Sequence, residues 1–169
     1  MDVFAKLRGS MIAGAALAAL VPTAAMADTA SSTLGVSATV TENCTVSTAP
    51  VAFGSVNTLS GGNVDATGGV TVTCTNGTPW AAAASAGTGS GASMATRKMV
   101  SGANTLNYTL YTNAARTSVW GDGTASTATV ANTGTGSSQT FTVYGRVMSG
   151  QASVSAGSYS DTVSVTISY

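Results

Sequence analysis

Cys44 and Cys74 are the residues of this chain best equipped for chemistry, and the chemistry their setting favours is oxidation to a disulfide. They lack Cys-x-x-Cys spacing, and the sequence has no histidine to share a metal ion with them. Cys44 keeps the parity of Val40, and Cys74 that of Val70 and Val72, so each belongs to the apolar face of an alternating stretch. A bridge between them closes a loop of about 30 residues, worth roughly 3–4 kcal/mol in the chain-entropy account.

Other chemistries find little support. Without histidine, neither a Ser-His-Asp triad nor a histidine metal site can be assembled. Beyond residue 27 the carboxylates are Asp28, Glu42, Asp65, Asp122 and Asp161, too scattered for a paired-acid hydrolase. Asp122 stands between Gly121 and Gly123, and Asp161 follows Ser158-Tyr159-Ser160. Both read as turn residues rather than calcium ligands, because no Asp-x-Asp loop accompanies them. Asn43-Cys44-Thr45, Asn76-Gly77-Thr78 and Asn107-Tyr108-Thr109 match the glycosylation acceptor pattern, a coincidence expected in so Asn- and Thr-rich a chain. Trp80, Trp120, Tyr108, Tyr144 and Tyr159 could line a sugar-binding platform. Aromatic pairing across a sheet accounts for them more simply, and Tyr159 stands where a tyrosine can fasten a corner. No catalytic residue, metal, cofactor or small-molecule substrate is expected.

The elements that carry these residues are strands. Leu34, Val36, Ala38 and Val40 alternate with Thr33, Gly35, Ser37 and Thr39. Val163, Val165, Ile167 and Tyr169 alternate with Thr162, Ser164, Thr166 and Ser168. Successive side chains of a strand point to opposite faces, so each stretch offers one face to a core and one to water. The same alternation and the Gly, Asn and Asp punctuation predict strands at 33–40, 44–46 with 51–53, 69–75, 106–112, 118–120, 127–131, 139–148 and 158–169. The alanine-rich stretch from 81 runs into Gly87-Thr88-Gly89-Ser90-Gly91, and 81–93 is expected to be a surface loop. Short strands at regular spacing point to an all-β sandwich of immunoglobulin type in one domain.

Composition bounds the partners. Residues 1–27 read as a cleaved secretory signal: Lys6 and Arg8, then an apolar run over 11–21, then Pro22 and Ala25-Met26-Ala27. The run is shorter than the ~20 residues a membrane span needs. Only 7% of the residues are charged. Beyond residue 27 the bases are Arg97, Lys98, Arg116 and Arg146, so no patch exists to follow a nucleic acid backbone. A surface so poor in charge is weakly protected against self-association and suits a protein that ends in an assembly.

The chain resembles the spore coat protein U domain family, whose members include subunits of archaic chaperone–usher pili. The likeness rests on Cys44-Thr45-Val46, Phe53-Gly54, Val70-Thr71-Val72-Thr73-Cys74-Thr75-Asn76-Gly77 and Arg97-Lys98-Met99. It continues through Leu106-Asn107-Tyr108-Thr109-Leu110-Tyr111, Val119-Trp120-Gly121-Asp122-Gly123, Tyr144-Gly145-Arg146-Val147 and Gly157-Ser158-Tyr159-Ser160-Asp161-Thr162-Val163. The resemblance implies an incomplete immunoglobulin-like sandwich completed by donor-strand exchange. Residues 28–43 would be the donor segment, with Leu34, Val36, Ala38 and Val40 as its inserting side chains, and 44–169 the sandwich. Val163, Val165, Ile167 and Tyr169 would edge the groove. It further implies a homopolymer, a periplasmic chaperone, an outer-membrane usher and export through the periplasm to a surface pilus that supports adhesion or biofilm formation. Alternation alone leaves a second reading open. In that reading the chain is a self-contained secreted coat or carbohydrate-binding domain, with 33–40 as its own first strand.

Overall fold

A computed structural model describes residues 26–59 and 61–169; the expected secretory signal lies outside them apart from Met26 and Ala27. Among the described residues there is no helix, and none is long and apolar enough to cross a membrane. Eight strands form: β1 (Cys44–Ala49), β2 (Val64–Cys74), β3 (Pro79–Ala84), β4 (Arg97–Ser101), β5 (Asn104–Tyr111), β6 (Val130–Thr133), β7 (Gln139–Val147) and β8 (Val165–Ser168). They make a five-stranded sheet in the order β1-β2-β7-β5-β4 and a three-stranded sheet in the order β6-β3-β8. Every strand pair is antiparallel.

The core lies between the sheets, where the inward alternates meet. Val70, Val72 and Cys74 of β2 pack with Leu106, Tyr108 and Leu110 of β5 and with Val143 and Val147 of β7. Trp120 sits edge-on to Phe141 at 5.6 Å between ring centroids, and its indole N–H donates to the Ala82 carbonyl at 3.1 Å. Trp80 stacks on the same phenyl ring at 6.4 Å.

Several strand and loop expectations are corrected, and the strand expected over 158–169 shortens to β8. The alanines beginning the expected 81–93 loop belong to β3, the central strand of the smaller sheet, with Ala82 and Ala84 buried. Alanine is a poor strand former, but Trp80 and Trp120 fill the interlayer volume here, so small side chains are what fits beside them. Residues 51–53 leave the ladder at Pro50, which has no N–H to donate. They cross the five-stranded sheet over Gly68 and Gly145, where an added Cβ would lie 2.7 Å from Val51 at either glycine. Strand β4, unforeseen, pairs with β5, while 118–120 and 127–131 reduce to single bridges at Val119 and between Trp120 and Ala128 before β6 begins. Residues 33–40 form no strand within the chain.

Candidate functional site

Each sheet ends on the same side with an edge strand: β1 pairs only with β2, and β8 only with β3. Opposite residues of an antiparallel pair point to one face. Cys44, Val46 and Thr48 oppose Cys74, Val72 and Val70 respectively, so they share the face that β2 turns to the core. Val72 is wholly buried, yet Val46 beside it is 42% exposed. On the other sheet Val163, Val165 and Ile167 keep their inward parity but are only half-buried. An open groove of about 420 Å³ lies here, walled by Thr48, Ala49, Val163 and Val165 and floored by Trp120 and Val143. The interior of the sandwich is therefore open to solvent along this side. Tyr169 is exposed.

Cys44 and Cys74 are directly opposed and joined by a disulfide, with their Cα atoms 4.1 Å apart. The bridge ties the first residue of β1 to the last residue of β2. Beyond it, the Thr75 N–H donates to the Asn43 carbonyl at 2.9 Å, and the Asn43 N–H donates to Thr75 Oγ1 at 3.2 Å.

The mouth of the groove is held by Asp161, which the sequence offers only as a turn residue. Its Oδ1 accepts from the Thr88 N–H at 2.7 Å, the Thr88 hydroxyl at 2.8 Å and the Thr162 N–H at 2.8 Å. Its Oδ2 accepts from the Tyr108 hydroxyl at 2.7 Å. Burial and that hydrogen bond together raise the Tyr108 phenol above its ordinary range. One residue earlier, Ser160 bridges to Val100 at the edge of β4. The chain is thus fastened on two sides just before it becomes β8. Tyr159 adds a third tie, its hydroxyl donating to the Ser155 carbonyl at 2.7 Å.

Arg97 is the residue that sequence reasoning missed. It is fully buried, and its guanidinium donates to the carbonyls of Ser85, Met94 and Trp120 at 2.8–2.9 Å. Desolvation lowers its pKa from the usual arginine value. A signal was present: Arg97 shares the parity of Met99, an inward apolar residue, so its side chain had to enter the core. On the outer face of the larger sheet, Arg146 grips Asp65 through two bonds of 2.7 and 2.8 Å, with Arg116 3.3 Å away. Arg146 above all, through those hydrogen bonds, holds the Asp65 carboxyl below its usual range. Among the described residues no three of Cys, Asp and Glu come together as metal ligands would.

Residues 26–38 are a separate matter. They belong to a first contact unit that ends at Ala38, and all are exposed and outside any strand. Leu34 and Val36 are 89% and 88% exposed, and Val40, just inside the second unit, is 82% exposed.

Two antiparallel sheets with edge strands flanking an uncovered core define the class: an incomplete immunoglobulin-like sandwich. The profile of the Spore Coat Protein U domain matches residues 30–166, and the chain belongs to that family. Among solved structures it is similar to the CsuC–CsuE chaperone–tip adhesion subunit pre-assembly complex from the archaic chaperone–usher Csu pili of Acinetobacter baumannii. The TM-score is 0.56 at 21% identity, over 78% of this chain and 40% of that one, so the likeness is one of fold. No curated protein matches.

Proposed function

We propose that this protein is a structural subunit of a chaperone–usher pilus that polymerises by inserting residues 33–40 into the groove of a neighbouring copy. The observation that carries the reading is a pair of complementary vacancies. Leu34, Val36 and Val40 are large apolar side chains left in water. The groove between β1 and β8 is an apolar interior left uncovered. The segment and the groove edge each offer four alternating positions: Leu34, Val36, Ala38 and Val40 against Val163, Val165, Ile167 and Tyr169. Burying Leu34, Val36 and Val40 at about 2 kcal/mol each is worth roughly 6 kcal/mol, before the ladder of backbone bonds is counted. The self-contained alternative needs 33–40 as an internal first strand, and the exposure of those side chains speaks against it.

The same open edge is an aggregation hazard before assembly. A periplasmic chaperone covering it, an outer-membrane usher passing it outward and a final place at the cell surface complete the proposal, with adhesion or biofilm formation as its consequence. Likeness to a chaperone–subunit complex supports the chaperone step. The test is deletion of residues 28–39. Intact protein is expected to run as an unboiled ladder on denaturing gels, and the deleted protein to lose the ladder while still binding its chaperone. A deleted protein that unfolds, beside an intact one that stays monomeric, would overturn the proposal.

A further inference from the structure

Past the mouth of the groove a second cavity of about 910 Å³ opens between the 51–59 and 152–159 loops. The two cavities share Val51, Phe53, Met99 and Tyr159, so the groove continues into it. No charged residue lines it, and Leu59 at its rim is 81% exposed. Taking the pilin reading above as given, we infer that this second cavity seats the body of the neighbouring copy, the end carrying Thr75-Asn76-Gly77.

The direction of the inserted strand decides which part of the neighbour arrives there. Every pair in both sheets is antiparallel, and antiparallel ladders are slightly the more stable per residue. A donor antiparallel to β8 lays Leu34 by Tyr169 and Val40 by Val163. It therefore leaves the groove at the end where the second cavity begins. Continuing the ladder would set Glu42 against Asp161, and like charges face to face end it there.

Only Thr41, Glu42 and Asn43 then separate Val40 from the neighbour's β1 at Cys44, a span of at most about 14 Å. Part of that is not free. Thr75 Oγ1 donates to the Thr41 carbonyl at 3.4 Å and accepts from the Asn43 N–H at 3.2 Å, so the root of the donor is laced to its own body. The two bodies must abut. The end of the neighbour that arrives presents Thr75, Asn76, Gly77 and the 134–138 turn, small and uncharged like the cavity that receives it, with Glu42 beside them at the root of the donor.

The test is a pair of cysteines placed on the two faces. Full-length Leu59→Cys/Asn76→Cys subunits are assembled into fibres, oxidised, then boiled in detergent to break the donor joints. Multimers that survive boiling are expected, and none from Leu59→Cys/Thr142→Cys, whose second cysteine lies on the outer face of the sheet. A Leu59→Asp variant is expected to keep its donor-strand ladder but give shorter fibres in micrographs. Wild-type fibres that form while neither cysteine pair links, or while both link equally, would overturn the inference. Wild-type protein that forms no donor-linked fibre would instead overturn the pilin reading on which it rests.

Discussion

At the scale of single residues, two polar side chains, the fully buried Arg97 and the half-buried Asp161, tie loops to the sandwich. Arg97 gives three hydrogen bonds to main-chain carbonyls, and Asp161 collects four, one of them from Tyr108. Loss of a partner would leave buried groups unsatisfied, at about 1–3 kcal/mol each. The pH dependence follows from Tyr108, whose phenol is held above its ordinary value by burial and by Asp161. A raised folded-state pKa means the stabilisation is whole below the unfolded value, about 10, and is lost as the pH climbs through the folded one. Alkaline absorbance titration should therefore show one phenol ionising late, coincident with unfolding, and Tyr108→Phe should remove that step. An unchanged titration in the variant would sink the assignment. Little of this was legible beforehand. Turn chemistry suggested Asp161, and Arg97 lay in a strand the alternation did not announce; which carbonyls and hydroxyls they meet depends on loops brought together from distant parts of the chain.

At the scale of elements, strict alternation was the trustworthy signal. Strands β2, β5 and β7 lie where Val70-Thr71-Val72, Leu106-Asn107-Tyr108 and Phe141-Thr142-Val143 announce them. Alternation failed where volume rather than hydropathy decides. The alanines of β3 carry no strand pattern in their own side chains, because the tryptophans beside them supply the bulk. The pairing of the cysteines was legible because they are the two in a chain expected to be exported, and its mechanical consequence only from the sheet order. Strand β1 has one neighbour, and the disulfide clamps it at the end where the proposed donor segment is rooted. Replacing both cysteines by serine should cost about 3–4 kcal/mol in denaturant unfolding, from the closed loop of about 30 residues. Amide exchange should localise the effect: β1 loses protection first, while the β2–β7 ladder keeps it. Equal loss across the sheet would show that the bridge supports the whole fold and not its edge.

At the scale of the whole molecule, what distinguishes this sandwich is an unfilled position beside β8, and the most direct experiment is to fill it from within. The proposed donor runs antiparallel to β8, so it can be appended to Tyr169 through an Asn-Gly turn, the two-residue connection that suits the twist of a hairpin. A copy of residues 34–40 placed there pairs Leu34 with Tyr169 and Val40 with Val163, and would lay its apolar alternates over Val70, Trp120 and Val143 in the same chain. The apolar gain is about 6 kcal/mol, part of it offset by ordering about seven residues that were free. The fused protein should be monomeric, should lose the gel ladder and should unfold several kcal/mol later in denaturant. A matched fusion with Val36→Asp in the appended copy should recover neither property, because it would bury an unpaired carboxylate in the groove. The turn also tests direction: so short a loop cannot return a strand parallel to β8, so stabilisation by this fusion requires the antiparallel insertion. Should the fused and unfused proteins unfold together, the space between β1 and β8 is not a strand site, and the fibre reading loses its physical basis.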